Sequence, residues 1–213
     1  MAIIQLAPRH RPRNRPRKRT AGQQPPARRR NSEVRPREHL TPAEVDRLIA
    51  TARALGRYGQ RNATAIILAF THGLRVSELV GLVWEQIDFQ DGVIHVSRLK
   101  HGRASTQPLR GPELRALRQL RREWPEGRFV LQTERGGPWT AAGFRKMLAR
   151  TGAAAGFPWL VHPHQLRHAT GFALANKGVD TRALQHYLGH RSIEHTVRYT
   201  ELDAGRFQGL WQD

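Results

Sequence analysis

The chain has 213 residues, with 36 lysines and arginines against 17 aspartates and glutamates, a formal net charge of +19 at neutral pH. A field of that size attracts polyanions, so nucleic acid is the first expected partner and an anionic membrane surface the second. Cysteine is absent, which excludes disulfides and thiolate metal sites and fits a reducing compartment.

The charge is unevenly spread. Residues 1–40 carry 12 basic and two acidic side chains, leaving 24 and 15 for residues 41–213. The stretch RHRPRNRPRKRTAGQQPPARRR is rich in Arg and Pro and nearly devoid of apolar groups. It cannot bury enough surface to offset the entropy of ordering, so residues 1–40 are expected to form a disordered basic tail. Such an arm can lie along DNA phosphates and release their counterions. The opening MAIIQLAPRH lacks the apolar run of a secretory signal, and AIILAF at 65–70 is far too short to span a bilayer. A cytoplasmic protein is expected.

From residue 41 the pattern becomes globular. TPAEVDRLIATAR opens with Thr41 as N-cap, Pro42 at the first helical position and Glu44 at the third, a capping box. RNATAIILAFTHG is a mostly apolar helix stopped by Gly73, and VSELVGL gives a shorter helix. After WEQIDFQ, Asp91-Gly92 signals a turn, and VIHVSRL alternates as a strand. His101-Gly102 turns the chain back into ASTQPL, and RFVLQ at 128–132 could add a third strand. Helices are expected at 112–124, 140–154, 164–176, 180–188 and 192–199. The fold class is therefore mainly α with a small antiparallel β-sheet, a single domain over 41–213.

HPHQLRH at 162–168 raises the question of a metal. His164 and His168 are four apart on a predicted helix, as are His186 and His190. Yet the intervening residues include Arg167, no HExxH is present, and no carboxylates lie nearby to complete a shell. With Pro163 starting the helix, its first turn presents His164, Arg167 and unpaired N–H groups together, which is anion-binding chemistry. No metal is expected.

GLRVSELVGL at 73–82, HPHQLRHATGFALANKGVDTRALQHYLGH at 162–190 and TVRYT at 196–200 occur in an order and spacing that resembles the tyrosine recombinase (phage integrase) family. The likeness runs over about residues 38–213. Within the family the chain looks most similar to the recombinases that invert the type 1 fimbrial promoter switch. The resemblance implies the catalytic-domain fold of that family and the catalytic set Arg75, Lys100, His164, Arg167, His190 and Tyr199, with no cofactor. It also implies double-stranded DNA as substrate, a homotetramer on paired DNA sites, DNA-bending accessory proteins, and a place beside the bacterial nucleoid.

The residue types suit that reaction. A phosphodiester under attack gathers negative charge on its non-bridging oxygens, and two guanidiniums can hold those oxygens while remaining charged. Arg75 and Arg167 take this role. His164 and His190 add donors and can move protons near neutrality. Tyr199 is the nucleophile the resemblance implies; with a free pKa of about 10 it needs a base or a strongly positive pocket. Lys100, between Arg98 and Arg103 on the hairpin, would protonate the leaving 5′ oxygen. Glu78 is expected to brace the Arg75 loop through a salt link, Tyr187 to belong to the core, and His162, His168 and His195 to be structural or DNA-facing.

The chain departs from most of the family in having only a basic tail where a separate DNA-clamping domain is usual. Phe207, Leu210 and Trp211 would form an apolar patch able to dock on the same or a neighbouring protomer. Two other classes fit parts of the pattern: a catalytically silent DNA-binding regulator of this fold, and a type IB topoisomerase-like enzyme that relaxes DNA without partner exchange.

Overall fold

In the computed structural model, residues 37–98 and 104–201 are described. The capping signals read from the sequence set the helix starts. Thr41 caps α1 (Pro42–Ala54): its hydroxyl accepts from the Glu44 N–H, and the Glu44 carboxylate accepts from the Thr41 N–H. Thr140 and Asp180 likewise cap the helices that follow them, and proline opens two others. The helices are α2 (Gly59–Thr71), α3 (Val76–Val80), α4 (Gly111–Glu123), α5 (Ala141–Ala154), α6 (Pro163–Ala175), α7 (Thr181–Leu188) and α8 (Glu194–Thr200). Each lies within two residues of its expected start or end.

The sheet differs from expectation. Its strands are β1 (Ile87–Asp88), β2 (Val93–Val96) and β3 (Ser105–Pro108), antiparallel in the order β1-β2-β3. Ile94 faces both Ile87 and Gln107, and Val96 faces Ser105. Residues 128–132 do not join this sheet. Their backbone is taken by the segment ahead of β1: Trp84 donates to the Arg128 carbonyl at 3.0 Å, and Val130 to that of Leu82 at 2.9 Å. That pairing carries Val130 and Leu131 into the core.

The apolar interior has two parts. A large cluster joins α1, α2, the sheet, α4, α5 and the first half of α6, with Leu48, Ile66, Leu117, Leu148 and Leu166 all 0% exposed. Each such side chain contributes about 1.5–3 kcal/mol over leaving it in water. A smaller cluster of Phe172, Ala175, Leu184, Leu188 and Tyr199 joins the second half of α6 to α7 and α8. Helix α6 packs against α1, α2, α7 and α8, so it links the two. Leu40, ahead of α1, also lies in the large cluster, and Arg37 pairs with Glu44 at 2.6 Å, so packing includes residues 37–40.

A buried polar relay ties the sheet to α7. His72, fully enclosed after α2, places Nδ1 2.8 Å from Gln107 Oε1 and Nε2 2.8 Å from Glu113 Oε1. The Gln107 amide then donates to the Tyr187 carbonyl at 2.9 Å. The Gln107 contacts satisfy His72 Nδ1 and the Tyr187 carbonyl internally, which lowers the cost of burying them. Among the described residues, no helix is long and apolar enough to cross a membrane.

Candidate active site

The site is assembled where α3 and α6 begin and α7 ends. Gly73 adopts a φ of +56°, and a Cβ there would come within 2.5 Å of Leu188 Cδ2. Only glycine permits that turn and that approach together. Arg75 follows as the N-cap of α3. One Glu78 oxygen accepts from the Arg75 N–H at 2.8 Å, and the other from the Arg75 guanidinium at 2.8 Å. The salt link expected of Glu78 is therefore present, but it is shared. Arg98, at the end of the β2 segment and 0% exposed at its side chain, donates to Glu78 at 2.8 Å and also to the carbonyls of His72 and Tyr187.

Burial pushes the Glu78 carboxyl up. The Arg75 backbone N–H and the charges and donors of Arg98 and Arg75 outweigh it, so the group lies below its usual range. Arg98 was visible in the sequence only as a neighbour of Lys100. Its role in holding Glu78, and through it Arg75, depends on burial that no local pattern reveals.

At the start of α6, His162 is the N-cap, Pro163 the first residue, and Gln165 Oε1 accepts from the His162 N–H at 3.0 Å. Arg167 follows one turn in and is 4% exposed. Its guanidinium donates to the Gly73 carbonyl and, at 2.7 Å, to the Leu188 carbonyl, bolting together the turn before α3, α6 and the end of α7. A guanidinium has five N–H donors, so this bracing leaves others for an anion. Burial, then Arg75 and Arg98, push Arg167 down to about 9, and it still carries its charge at neutral pH.

His190 follows the end of α7, and its Nδ1 lies 2.9 Å from the Thr196 hydroxyl on α8. Burial first, then Arg167, Arg75, His195 and Arg98, push it down to about 3. Next to that many cations the ring is neutral at physiological pH. In the free protein it is a hydrogen-bonding group, not the near-neutral proton carrier expected from its unperturbed pKa.

Tyr199 is 2% exposed. Its ring lies against Gly171 of α6, where an added Cβ would sit 2.7 Å from two ring carbons. Phe172 meets it edge-on at 5.1 Å between centroids, and the His190 ring lies parallel at 6.3 Å. The phenolic oxygen is 2.9 Å from His168 Nδ1. Burial raises its pKa, against the opposing pull of Arg167 and Arg198. His168, expected to be structural or DNA-facing, thus touches the hydroxyl itself. The spacing that could have shown it is the i, i+4 step from His164, whose ring is 5.2 Å from that of His168.

Arg75, Arg167, His190 and Tyr199 are therefore gathered around the first turns of α6, and His164 stands in the same turn. Lys100 lies outside the described residues, as do residues 1–36 and the Phe207, Leu210 and Trp211 patch. The remaining tyrosines are engaged elsewhere. Tyr187 donates to the Thr71 carbonyl at 2.8 Å and is pushed up to about 12, chiefly by burial. Tyr58 donates to Glu134 at the surface.

Residues 38–206 match the model of the phage integrase family. The chain is 41% identical over 180 residues to the type 1 fimbriae regulatory protein FimB of Escherichia coli K12, covering 82% of this chain and 90% of that one. It is 34% identical over 179 residues to tyrosine recombinase XerD of Pseudomonas aeruginosa, covering 80% of this chain and 59% of that one. Among solved structures, XerA recombinase superposes with a TM-score of 0.69 at 25% identity, over 79% of this chain and 61% of the other. The Tn1549 transposon integrase in complex with circular intermediate DNA gives 0.65 at 25% identity, over 76% and 61%. The chain thus spans about nine-tenths of the fimbrial protein's length and less than two thirds of the others'. By this match and by its fold, the chain belongs to the phage integrase family and is a tyrosine recombinase.

Proposed function

We propose that the chain breaks and rejoins duplex DNA at specific sites through a covalent bond between Tyr199 and a 3′ phosphate. The observation that carries the reading is the convergence of two braced guanidiniums, Arg75 and Arg167, with a single buried phenol on adjoining helices. Attack forms the Tyr199 O–P bond and breaks the bond from phosphorus to the 5′ oxygen. Arg75 and Arg167 hold the non-bridging oxygens as charge grows on them, in positions fixed before the reaction. The His190 ring, its Nδ1 at the Thr196 hydroxyl, and His164 in the first turn of α6 add donors to the same oxygens. The phenolic proton passes to water as the O–P bond forms, and Lys100 gives its own proton to the departing 5′ oxygen, to be reprotonated from solvent. A different 5′ hydroxyl then attacks the phosphotyrosine and restores the phosphodiester. The phosphotyrosine conserves the bond energy, so no nucleotide is consumed.

Duplex DNA as the substrate draws support from the net charge of +19 and from the DNA-bound transposon integrase it resembles. The acting form in this reading is a homotetramer on paired sites, aided by DNA-bending proteins. Residues 41–213, with residues 37–40 packed on them, form the catalytic domain, and the basic tail ahead of these lies along DNA. Similarity to a fimbriae regulatory protein over nine-tenths of that protein favours inversion of a DNA segment over integration.

The test is a nicked suicide duplex whose core is selected from a random-sequence pool by binding to this protein. Wild-type protein is expected to become covalently attached, Tyr199→Phe to give no attached product, and Tyr187→Phe to leave attachment intact. Attachment lost with Tyr187→Phe but kept with Tyr199→Phe would overturn the assignment.

A further inference from the structure

The Tyr199 hydroxyl lies inside the protein, yet the proposed reaction requires it at a phosphodiester. Three contacts define where it is. Gly171 lies directly under the ring, Phe172 closes one edge, and His168 Nδ1 is 2.9 Å from the oxygen. His168 stands one residue after Arg167, in the second turn of α6, whereas His164 and the helix-end N–H groups stand in the first. The phenol is thus bonded to the second turn of α6, beside Arg167, and not to the first turn where His164 stands. With Tyr199 2% exposed, a backbone phosphate in a DNA groove cannot reach it in this arrangement.

We propose that His168 is a positioning residue that holds the Tyr199 hydroxyl in a withdrawn position, and that strand cleavage requires this hydrogen bond to be given up. The inference rests on Tyr199 being the nucleophile.

The chemistry of the pair supports a holding role. Burial, then His164 and Arg198, push His168 down to about 4, so the ring is neutral at working pH. Tyr199, raised by its own burial, keeps its proton. With the His168 proton on Nε2, the phenol donates to Nδ1, and the bond is a neutral one that breaks without separating charge. The helix that would move is short, and its polar ties to neighbouring segments are single contacts, Thr196 to His190 at 2.9 Å and Thr200 to Thr181 at 3.2 Å. Helix α8 has seven residues, begins at Ile193 without a side-chain cap, and belongs to the small apolar cluster. Its outer face is held at an exposed contact, where Arg198 meets Glu38 at 2.6 Å.

Removing the acceptor leaves a buried hydroxyl unsatisfied, which shifts the balance toward the extended position by about five- to a hundredfold. His168→Phe fills the ring's space without an acceptor. His168→Asn keeps an acceptor oxygen near the place of Nδ1. Two readouts are needed. The first is nitration of Tyr199 by tetranitromethane in the free protein, located by mass spectrometry, with Tyr58 as the exposed reference. The second is single-turnover attachment to the selected suicide duplex.

His168→Phe is expected to speed both nitration and attachment, while His168→Asn stays within about twofold of wild type in both. A melting curve on each variant separates release of α8 from global unfolding. If His168→Phe slows attachment and leaves nitration unchanged, the holding role is wrong and His168 acts in the chemistry instead. If nitration rises but attachment survives Tyr199→Phe, the nucleophile assignment has failed and not the holding contact.

Discussion

Arg167 and Tyr199 sit on packed neighbouring helices and are almost equally withdrawn from solvent, 4% and 2% exposed, yet they are held in different ways. Arg167 is fastened to the carbonyls of Gly73 and Leu188, beside a Glu78 carboxylate tied to both Arg75 and Arg98. Among the described residues the Tyr199 hydroxyl has one hydrogen-bond partner, the neutral His168 ring, and its ring packs on Gly171, Phe172 and the His190 ring. Groups that stabilise charge at a transition state work best when they need no rearrangement, so rigidity serves the cradle. Under the proposal that Tyr199 is a nucleophile released from His168, an element that opens at little cost suits it better. The same core helix, α6, supports both: its first half belongs to the large apolar cluster and its second half to the small one.

Breaking the cradle is expected to have the largest effect. Arg167→Ala should lower covalent attachment by at least about 10²–10³-fold, the scale of losing one preorganised oxyanion donor. It should also destabilise the fold by about 1–3 kcal/mol for each carbonyl left unsatisfied. Arg167→Lys should recover little, because an ammonium cannot reproduce the planar fork that reaches two carbonyls and an anion. Urea titration alongside the attachment assay checks both parts.

Glu78→Gln comes next. It leaves the buried Arg98 without its counter-charge and should cost about 3–5 kcal/mol at neutral pH. Because the Glu78 carboxyl is held below its usual range, its stabilisation is fully present above the unfolded value of 4.5. It is lost as pH falls through the lower folded value. The unfolding curves of the wild type and of the Glu78→Gln variant should therefore differ at pH 7 and converge in strong acid. A constant gap across pH would show that the carboxylate charge is not what matters.

The histidines give a signature of the same sign that begins at higher pH. His168 and His190 are held neutral, at about 4 and about 3, against 6.5 when unfolded. The unfolded chain therefore binds protons that the folded one refuses as pH drops below 6.5, and stability should decline from there toward pH 4. His168→Asn should make that decline shallower. An unchanged slope would place the ring in water.

Gly171→Ala sharpens the comparison directly. A methyl 2.7 Å from the Tyr199 ring carbons must displace one partner or the other. With α8 the yielding element, the cost should stay near the low end of overpacking, about 1 kcal/mol, while nitration of Tyr199 rises. A cost of about 3 kcal/mol with Tyr199 still protected would mean that α8 is as stiff as the cradle. Least of all, Glu38→Gln should change stability by no more than about 0.5 kcal/mol, since both partners of the Arg198 pair are exposed.

The helices were legible because their signals are local. Thr41 with Glu44, Pro112, Pro163 and Asp180 act within a few residues of themselves, and each marks a boundary that the fold keeps. The third strand was not legible. Residues 128–132 read as a strand and residues 87–88 did not, and which one completes the sheet depends on residues 82–84 having already claimed the backbone of the former. Likewise the spacing of Arg75, His164, Arg167, His190 and Tyr199 could be read from the chain, whereas the roles of Arg98 and His168 could not. Their partners lie 20 and 31 residues away, and sequence separation carries no distance.

By itself, then, the sequence determined which groups are available, where helices begin, and that positive charge dominates. Those follow from side-chain chemistry and from hydrogen bonds closed within a turn. Tertiary structure alone decided which cations are braced by carbonyls, which histidines are stripped of their charge, and that the Tyr199 phenol is buried against His168. Desolvation and the choice of a distant partner arise only once helices pack.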